Sequence, residues 1–294
     1  MNPFSDVDFL ISPRYTASVH HSVRTAGGAS TPTGQTIALA AGIPTAVWLD
    51  AIDAIPEMRA TLELARRQQQ STGRSVLCVY VIYNLPGRDC SAAASAGELA
   101  TGELARYKNE YITPIAELAA AYPDLRKVFV VEPDSLPNIV TNMGRPKCAS
   151  AAAEYKEGIA HAIRTLGPLG SVYIDAAWSG WIGTWNVPQM ATLLDEVLKL
   201  AGRSAHYVRG FVTNVSNYGS VAAETAYAAA LRAALLSKGH NFAYIIDTGR
   251  NGGGQTVGPQ SSWCNPRRAT MGPPPSASPS IAAFADAFFW IKPP

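Results

Sequence analysis

Seven short runs of apolar, largely β-branched residues recur along the chain, at 44–50, 76–84, 127–134, 171–177, 207–214, 243–248 and 288–292. Segments with helical spacing separate most of them, at 56–70, 102–121, 149–166, 188–200 and 221–237. Runs that are apolar throughout, not at alternate positions, belong to strands covered on both faces, which points to a parallel sheet sheathed by helices. Pro56 and Pro188 each suit a first helical turn, where a missing N–H costs nothing. Seven strand–helix units fit a closed barrel better than an open, doubly wound sheet. The expected fold is therefore α/β, a distorted seven-stranded parallel (β/α) barrel of TIM-like type. A barrel of this kind takes roughly 250 residues as one unit, so the 294 residues are read as a single domain over 1–294. Residues 1–43 carry no clear element and are expected to wrap the outside. Residues 249–280 are rich in Gly, Pro and Ser, and loops of that length in compact domains are often functional.

The balance of residue types narrows the function. Hydrophobic residues make up 47% and charged ones 16%, so the core is large and the surface is dominated by uncharged polar groups. The net charge is +2 and the basic residues form no stripe, which excludes nucleic acid as an implied partner. No apolar run is long enough to cross a bilayer, so no membrane is implied, and Met1-Asn2-Pro3-Phe4 does not open a signal segment. The four cysteines, Cys78, Cys90, Cys148 and Cys264, form no CxxC pair and have no His at ligand spacing, so no metal site is read. Cys78 lies inside an apolar run and reads as a buried free thiol. Cys90 and Cys148 stand in polar loops after strands. They are either a bridge, which would imply an oxidising compartment, or two unrelated thiols.

Carboxylates gather at the predicted strand ends: Asp50, Asp89 in the loop after the second strand, Asp134, Asp175 and Asp247. In a parallel barrel these ends open on one face, where the reacting groups of such folds sit. Crowded carboxylates cannot all ionise cheaply, so at least one is expected to keep its proton and serve as an acid, as cleavage of a glycosidic bond requires. Asp at a strand end is also a common helix cap, which is the plain alternative. Trp48, Trp178, Trp181, Trp185 and Trp263, with Tyr83 and Tyr218, lie at strand ends or in adjoining loops and suit stacking on sugar rings. Trp290, inside a strand, reads better as core. The Gly-rich 249–254 stretch leads into no helix and cannot cradle a phosphate. Asn214 opens a glycosylation sequon but, at a strand end, is expected to face the cleft.

Four segments carry a resemblance. Tyr83-Asn84-Leu85-Pro86-Gly87-Arg88-Asp89-Cys90, Val131-Glu132-Pro133-Asp134-Ser135-Leu136, Thr213-Asn214-Val215-Ser216-Asn217-Tyr218 and Phe289-Trp290-Ile291-Lys292-Pro293 resemble glycoside hydrolase family 6, the family of cellobiohydrolase II and related endoglucanases. The resemblance implies a secreted, cofactor-free, inverting hydrolase of β-1,4-glucans that takes cellulose or cello-oligosaccharides and acts as a monomer. It implies Asp134 as the general acid, and Asp89 and Ser95 as the groups that position the attacking water. Tyr83 would lie beneath the distorted sugar, and Asp175 would support the site. Trp48, Trp181, Trp263 and Lys292 match sugar-binding positions, with Asp50 and Asn214 as further substrate contacts. Cys90 and Cys148 match a disulfide pair, leaving Cys264 free. Two departures stand out: Trp178 replaces a His, and Gly87 replaces an Asp common in the family. The family also continues past its last Lys-Pro with Gly-Gly-Glu-x-Asp-Gly, whose aspartate is the proposed base, whereas this sequence ends at Lys292-Pro293-Pro294. On that reading the candidate base, a cystine partner for Cys264 and the last helix are absent, and the seam between the first and last strands stays open. A non-catalytic or weakly active glucan-binding module is then the alternative, and a glycosidase of another β-glucan is a third reading. A Rossmann-type dehydrogenase fails for want of GxGxxG after the first strand.

Overall fold

The computed structural model describes residues 1–253, 266 and 269–294. Seven strands run parallel in one curled sheet: β2 (Val47–Leu49), β3 (Val76–Ile82), β4 (Arg126–Val131), β5 (Ser171–Asp175), β6 (Val208–Thr213), β7 (Ala243–Asp247) and β9 (Ala285–Phe289). Each pairs with the next, from Trp48 opposite Val81 round to Ile246 opposite Phe288, with the register shifting once between β5 and β6 and once between β7 and β9. Among the described residues the ring returns to its start through a single bridge, Thr45 to Trp290. It is reinforced by the Ala46 N–H on the Trp290 carbonyl and the Trp48 indole N–H on the Ile291 carbonyl (2.8 Å). Two short strands add to the expected seven. β1 (Asp8–Phe9) lies parallel to the start of β3, and β8 (Ser276–Ala277) lies antiparallel to β9. The last strand begins and ends three residues earlier than its apolar run suggests.

The period of two along each strand divides the core. Leu77, Val79 and Val81 fill the barrel with Val128, Val130, Tyr173, Val212, Ile245 and Phe289. Their neighbours Val76, Cys78, Tyr80 and Ile82 face outward into a larger core under the helices, with Phe129, Val172, Phe211 and Tyr244. Cys78 is a buried free thiol, pushed up to about 12 by burial.

Four of the five helices read from the sequence occur close to where the pattern puts them; the fifth is broken, and helices also form at 13–25, 32–38, 135–141 and 179–182, where the pattern puts none. Residues 1–43 are not an element-free wrap: they form β1, α1 (Pro13–Thr25) and α2 (Pro32–Ala38). Ser12 caps α1 by accepting from the Tyr15 N–H, and Pro13 opens its first turn. Only Tyr15, Val19 and Val23 are buried, on Trp290, so the apolar stripe on a largely polar helix was thin. Ahead of them Phe4 enters the barrel, its ring 5.7 Å from that of Phe289. After α3 (Ile55–Thr72), the expected helix 102–121 is broken. It becomes α4 (Leu104–Arg106), a π-helical turn over Tyr107–Ile112, and α5 (Thr113–Ala120). Pro114 explains the break: it has no N–H for the Glu110 carbonyl, and its ring would crowd that carbonyl in a regular helix. Then follow α6 (Ser135–Thr141), α7 (Pro146–Leu166), α8 (Ser179–Ile182), α9 (Val187–Ala201) and α10 (Val221–Leu236). Among the described residues no helix is long and apolar enough to cross a membrane.

Candidate active site

The C-terminal strand ends bring Asp134 and Asp175 together. After β4 the chain turns through Glu132 (φ 52°) and Asp134 (φ 65°), both left-handed, a conformation that costs a non-glycine residue energy and persists only where its surroundings hold it. The hold is visible. The Asp134 N–H donates to Asp175 Oδ2 at 3.0 Å, and the Ala177 N–H donates to the same oxygen at 3.1 Å. Asp175 is 1% exposed, and its other oxygen is buried without a hydrogen-bond partner among the described residues. Burial pushes Asp175 up to about 7. Asp134 is raised well above the usual carboxylate range, first by burial, then by the charges of Asp175 and Asp89. The shift favours the protonated form of Asp134, the form that can donate.

The loop after β3 supplies the second cluster. The Ser95 hydroxyl donates to Asp89 Oδ2. Burial raises Asp89, while Ser95 and the Arg88 guanidinium draw it back. Burial, Asp134 and Asp89 push the Tyr83 phenol far up, so it stays neutral. Arg88 is the organiser that sequence reasoning passed over. Its guanidinium lies 4.2 Å over the Tyr83 ring and donates to the carbonyls of Tyr83, Asp50 (2.6 Å) and Ser95 (2.9 Å). One side chain thus folds the 83–97 loop onto the end of β2. Cys90 and Cys148 are disulfide-bonded, tying the loop to α7, with Cα atoms 5.0 Å apart. Gly158 lets α7 come this close, because a Cβ there would stand 2.3 Å from Leu85 Cδ2.

Beside these groups lies an aromatic wall. The Trp48 ring meets Tyr83 edge-on at 5.6 Å, and the Lys292 ammonium lies 4.4 Å over the Trp48 ring. Burial and Arg250 hold Lys292 below the usual lysine range. A cavity of about 600 Å³ opens on Trp48, Asp50 and Lys292 and runs under α1; Asp134, Asp89 and Asp175 do not line it. Trp181 is half-buried, its indole N–H on Thr141 Oγ1 at 2.8 Å. Trp185 is 72% exposed and lies over Gly183, and Trp178 folds back over Gly180. Trp290, buried with its N–H on the Pro273 carbonyl, is core. Trp263 and Cys264 lie outside the described residues.

One strand-end residue is elsewhere than expected. Asn214 does not face the cleft: it is fully buried. Its amide donates to the Asp247 carbonyl (2.8 Å) and accepts from the Gly219 N–H (2.8 Å). Its side chain is used up closing the turn after β6, which leaves nothing for a ligand or a glycan. Asp247 accepts from the N–H groups of Ser216, Gly249, Ile291 and Lys292, and so fixes the loop that presents Lys292. Burial pushes it up to about 6. Two further carboxylates escaped the sequence reading. Glu224, on α10, accepts from the N–H and hydroxyl of Ser179. Glu132 accepts from Asn84 N–H (3.1 Å), Leu85 N–H (3.3 Å) and Tyr107 Oη (2.9 Å). Burial pushes both up to about 7. Glu132 stands between Val131 and Pro133 in an apolar run, and that position was the one available signal.

Residues 4–294 match the family model described as Glycosyl hydrolases family 6. The chain is 40% identical over 273 residues to the 1,4-beta-D-glucan cellobiohydrolase CEL6B of Podospora anserina, covering 85% of this chain and 65% of that protein. It is 36% identical to Exoglucanase 3 of Agaricus bisporus, over 99% of this chain and 68% of that one. It thus spans about two thirds of the length of these curated relatives. The CcCel6A catalytic domain complexed with p-nitrophenyl beta-D-cellotrioside has a similar structure, at a TM-score of 0.93 and 37% identity, covering all of this chain and 85% of that one.

Proposed function

This chain belongs to the glycosyl hydrolases of family 6, and from that membership we propose that it hydrolyses β-1,4-glucosidic bonds of cellulose and related β-glucans with inversion, Asp134 acting as general acid. The observation that carries the reading is the seat of Asp134. It stands at a strand end, bonded through its N–H to Asp175, with a carboxyl that burial and two neighbouring carboxylates raise well above the usual carboxylate range, towards the protonated form. In the proposed reaction Asp134 gives its proton to the glycosidic oxygen, which leaves with the electron pair of the broken C1–O bond. Water attacks C1 from the opposite face. Its proton passes to Ser95 Oγ as the Ser95 proton passes to Asp89, along the hydrogen bond between them. Tyr83 supports the distorted ring as a neutral phenol, and Asp175 holds the acid in place.

Trp48 and Lys292 form the sugar-binding wall, with Asp50 at the cavity's edge and Trp181 further along the strand-end face. The solved relative's cellotrioside supports a β-1,4-glucan as the ligand class. The Cys90–Cys148 bridge supports work in an oxidising, extracellular setting. The 1–294 chain is taken as one catalytic domain, acting as a monomer. The test is release of reducing ends from a soluble β-glucan, with the anomer of the first product followed by NMR. An α-anomer is expected. A β-anomer would refute inversion, and binding without release would favour a glucan-binding module.

A further inference from the structure

We propose that Glu132 is a positioning residue, which together with Tyr107 from the π-helical turn clamps the water-handling loop of Asp89 and Ser95 against the acid. The inference rests on the reading of the site as a glycosidase. Glu132 sits two residues before Asp134 and does not face the cleft; it is 1% exposed. Its two oxygens take the N–H groups of Asn84 and Leu85, the second and third residues after β3. Those amides lead straight into the Pro86–Ser95 loop, so the carboxylate fixes the loop at its root. Asn84 extends the clamp: its side-chain amide donates to Glu98 Oε1 at 2.8 Å, and the same oxygen accepts from Ile52 N–H at 2.7 Å. One connected set of bonds therefore holds the ends of β2, β3 and β4.

The π turn explains how the clamp is aimed. A π-helical turn brings residues four apart nearly into line, and such turns recur at functional sites. Tyr107 and Tyr111 are both fully buried, with rings 5.6 Å apart. The Tyr107 hydroxyl reaches Glu132. The Tyr111 hydroxyl donates to the Leu49 carbonyl and accepts from Tyr83 N–H at 2.9 Å. Two neighbouring phenols thus anchor three strand ends. Every partner of Glu132 is a donor, so only a group with two accepting oxygens satisfies the site.

Glu132→Gln is the test. Its amide nitrogen would face an N–H, turning one hydrogen bond into a donor against a donor. The expected result is a 10- to 100-fold drop in kcat with KM within twofold. The drop should be equal on a soluble β-glucan and on a p-nitrophenyl cellotrioside, because water must attack in both. A defect in proton donation would spare the activated substrate, so sparing overturns the clamp, as does an unchanged kcat. Hydrogen exchange supplies a readout independent of turnover: amides at 84–97 should exchange faster in the variant, and those of β6 and β7 should not. Unchanged exchange at 84–97 overturns the inference. If the unaltered chain releases no reducing ends, the glycosidase reading fails while exchange still decides the clamp. Should Glu132→Gln not fold, Tyr107→Phe removes one donor and keeps the carboxylate. A threefold or greater loss of kcat with the same equality across substrates is then expected, and no loss overturns the proposal.

Discussion

The two mouths of the barrel treat acidic groups in opposite ways. At the N-terminal mouth Asp286 lies against Arg209, which donates to both its oxygens at 2.7 and 2.8 Å, and Tyr173 adds a third bond at 2.6 Å. Asn2 covers the site by donating to the Asp286 carbonyl. At the C-terminal mouth Asp134, Asp175 and Asp89 gather, and the hydrogen bonds of the Arg88 guanidinium go to backbone carbonyls instead of to a carboxylate. One mouth neutralises its charge and shuts. The other offsets its charge only in part, through Arg88 on Asp89, and stays open to solvent at Trp48 and Lys292. A carboxylate beside a cation gives up its proton readily and has no acid to offer; a carboxyl crowded by its own kind keeps the proton until a substrate takes it. The position of a single guanidinium therefore separates a paired structural carboxylate from the crowded carboxyls to which we assign the chemistry.

The sharpest way to break this contrast is Asp134→Asn, which should cut turnover of unactivated β-glucans by about 10²–10⁴-fold and spare aryl glycosides, whose leaving groups need little protonation. Equal loss on both substrates would assign Asp134 to the structure instead. At the other mouth Arg209→Leu strands Asp286, which is 4% exposed. Partial exposure of the arginine moderates the effect, so denaturant unfolding should show a loss of roughly 2–3 kcal/mol, with kcat at 25 °C within twofold. A larger loss of turnover than of stability would mean that the mouths are not independent.

The third prediction concerns pH. Burial raises Glu132, Glu224 and Asp175 to about 7 and Asp247 to about 6. These folded-state values exceed those of an unfolded chain, so the folded protein binds protons the more tightly. That stability is fully present below roughly pH 4 and is lost as pH rises through about 7. Exposed ion-paired carboxylates such as Asp124 act in the opposite sense but are screened by solvent. The melting temperature should thus fall by about 5–10 °C between pH 5 and pH 8; a rise would show that the strand-end carboxylates are ionised in the fold. The smallest effect expected is for Trp48→Ala, which should raise KM by roughly three- to tenfold through loss of one aromatic face, with kcat nearly constant. A fall in kcat alone would move Trp48 from the binding wall to the support of Tyr83.

Most of the barrel was legible in the sequence because its strands are buried on both faces, and seven uninterrupted apolar runs cannot be hidden by loop variation. What sequence left out is depth and direction. Asn214 was correctly placed at a strand end, yet nothing in Thr213-Asn214-Val215 says that its amide turns inward to Gly219. Tyr107 and Tyr111 lay in a helical pattern, and only Pro114 hinted that the turn before it would widen. Glu132 looked like one more polar residue in a turn, because its partners come from a loop 48 residues earlier and a helix 25 residues earlier. The carboxylate cluster was visible because strand ends converge by topology, whereas Arg88 was missed because its role is to bind carbonyls, which every residue possesses.

Among the described residues one bridge, between Thr45 and Trp290, joins the two ends of the hoop, which makes the seam its weakest rung. Everywhere else neighbouring barrel strands share several paired residues, so a circumferential strain would part the ring between β2 and β9. Trp48 stands on one lip of that gap and Lys292 on the other, already touching across it. Any sugar that stacks on the indole while accepting from the ammonium becomes an extra rung. Filling the cleft and closing the hoop are then one event, and by mass action a ligand at a hundred times its dissociation constant would add about 2.7 kcal/mol to the folded state.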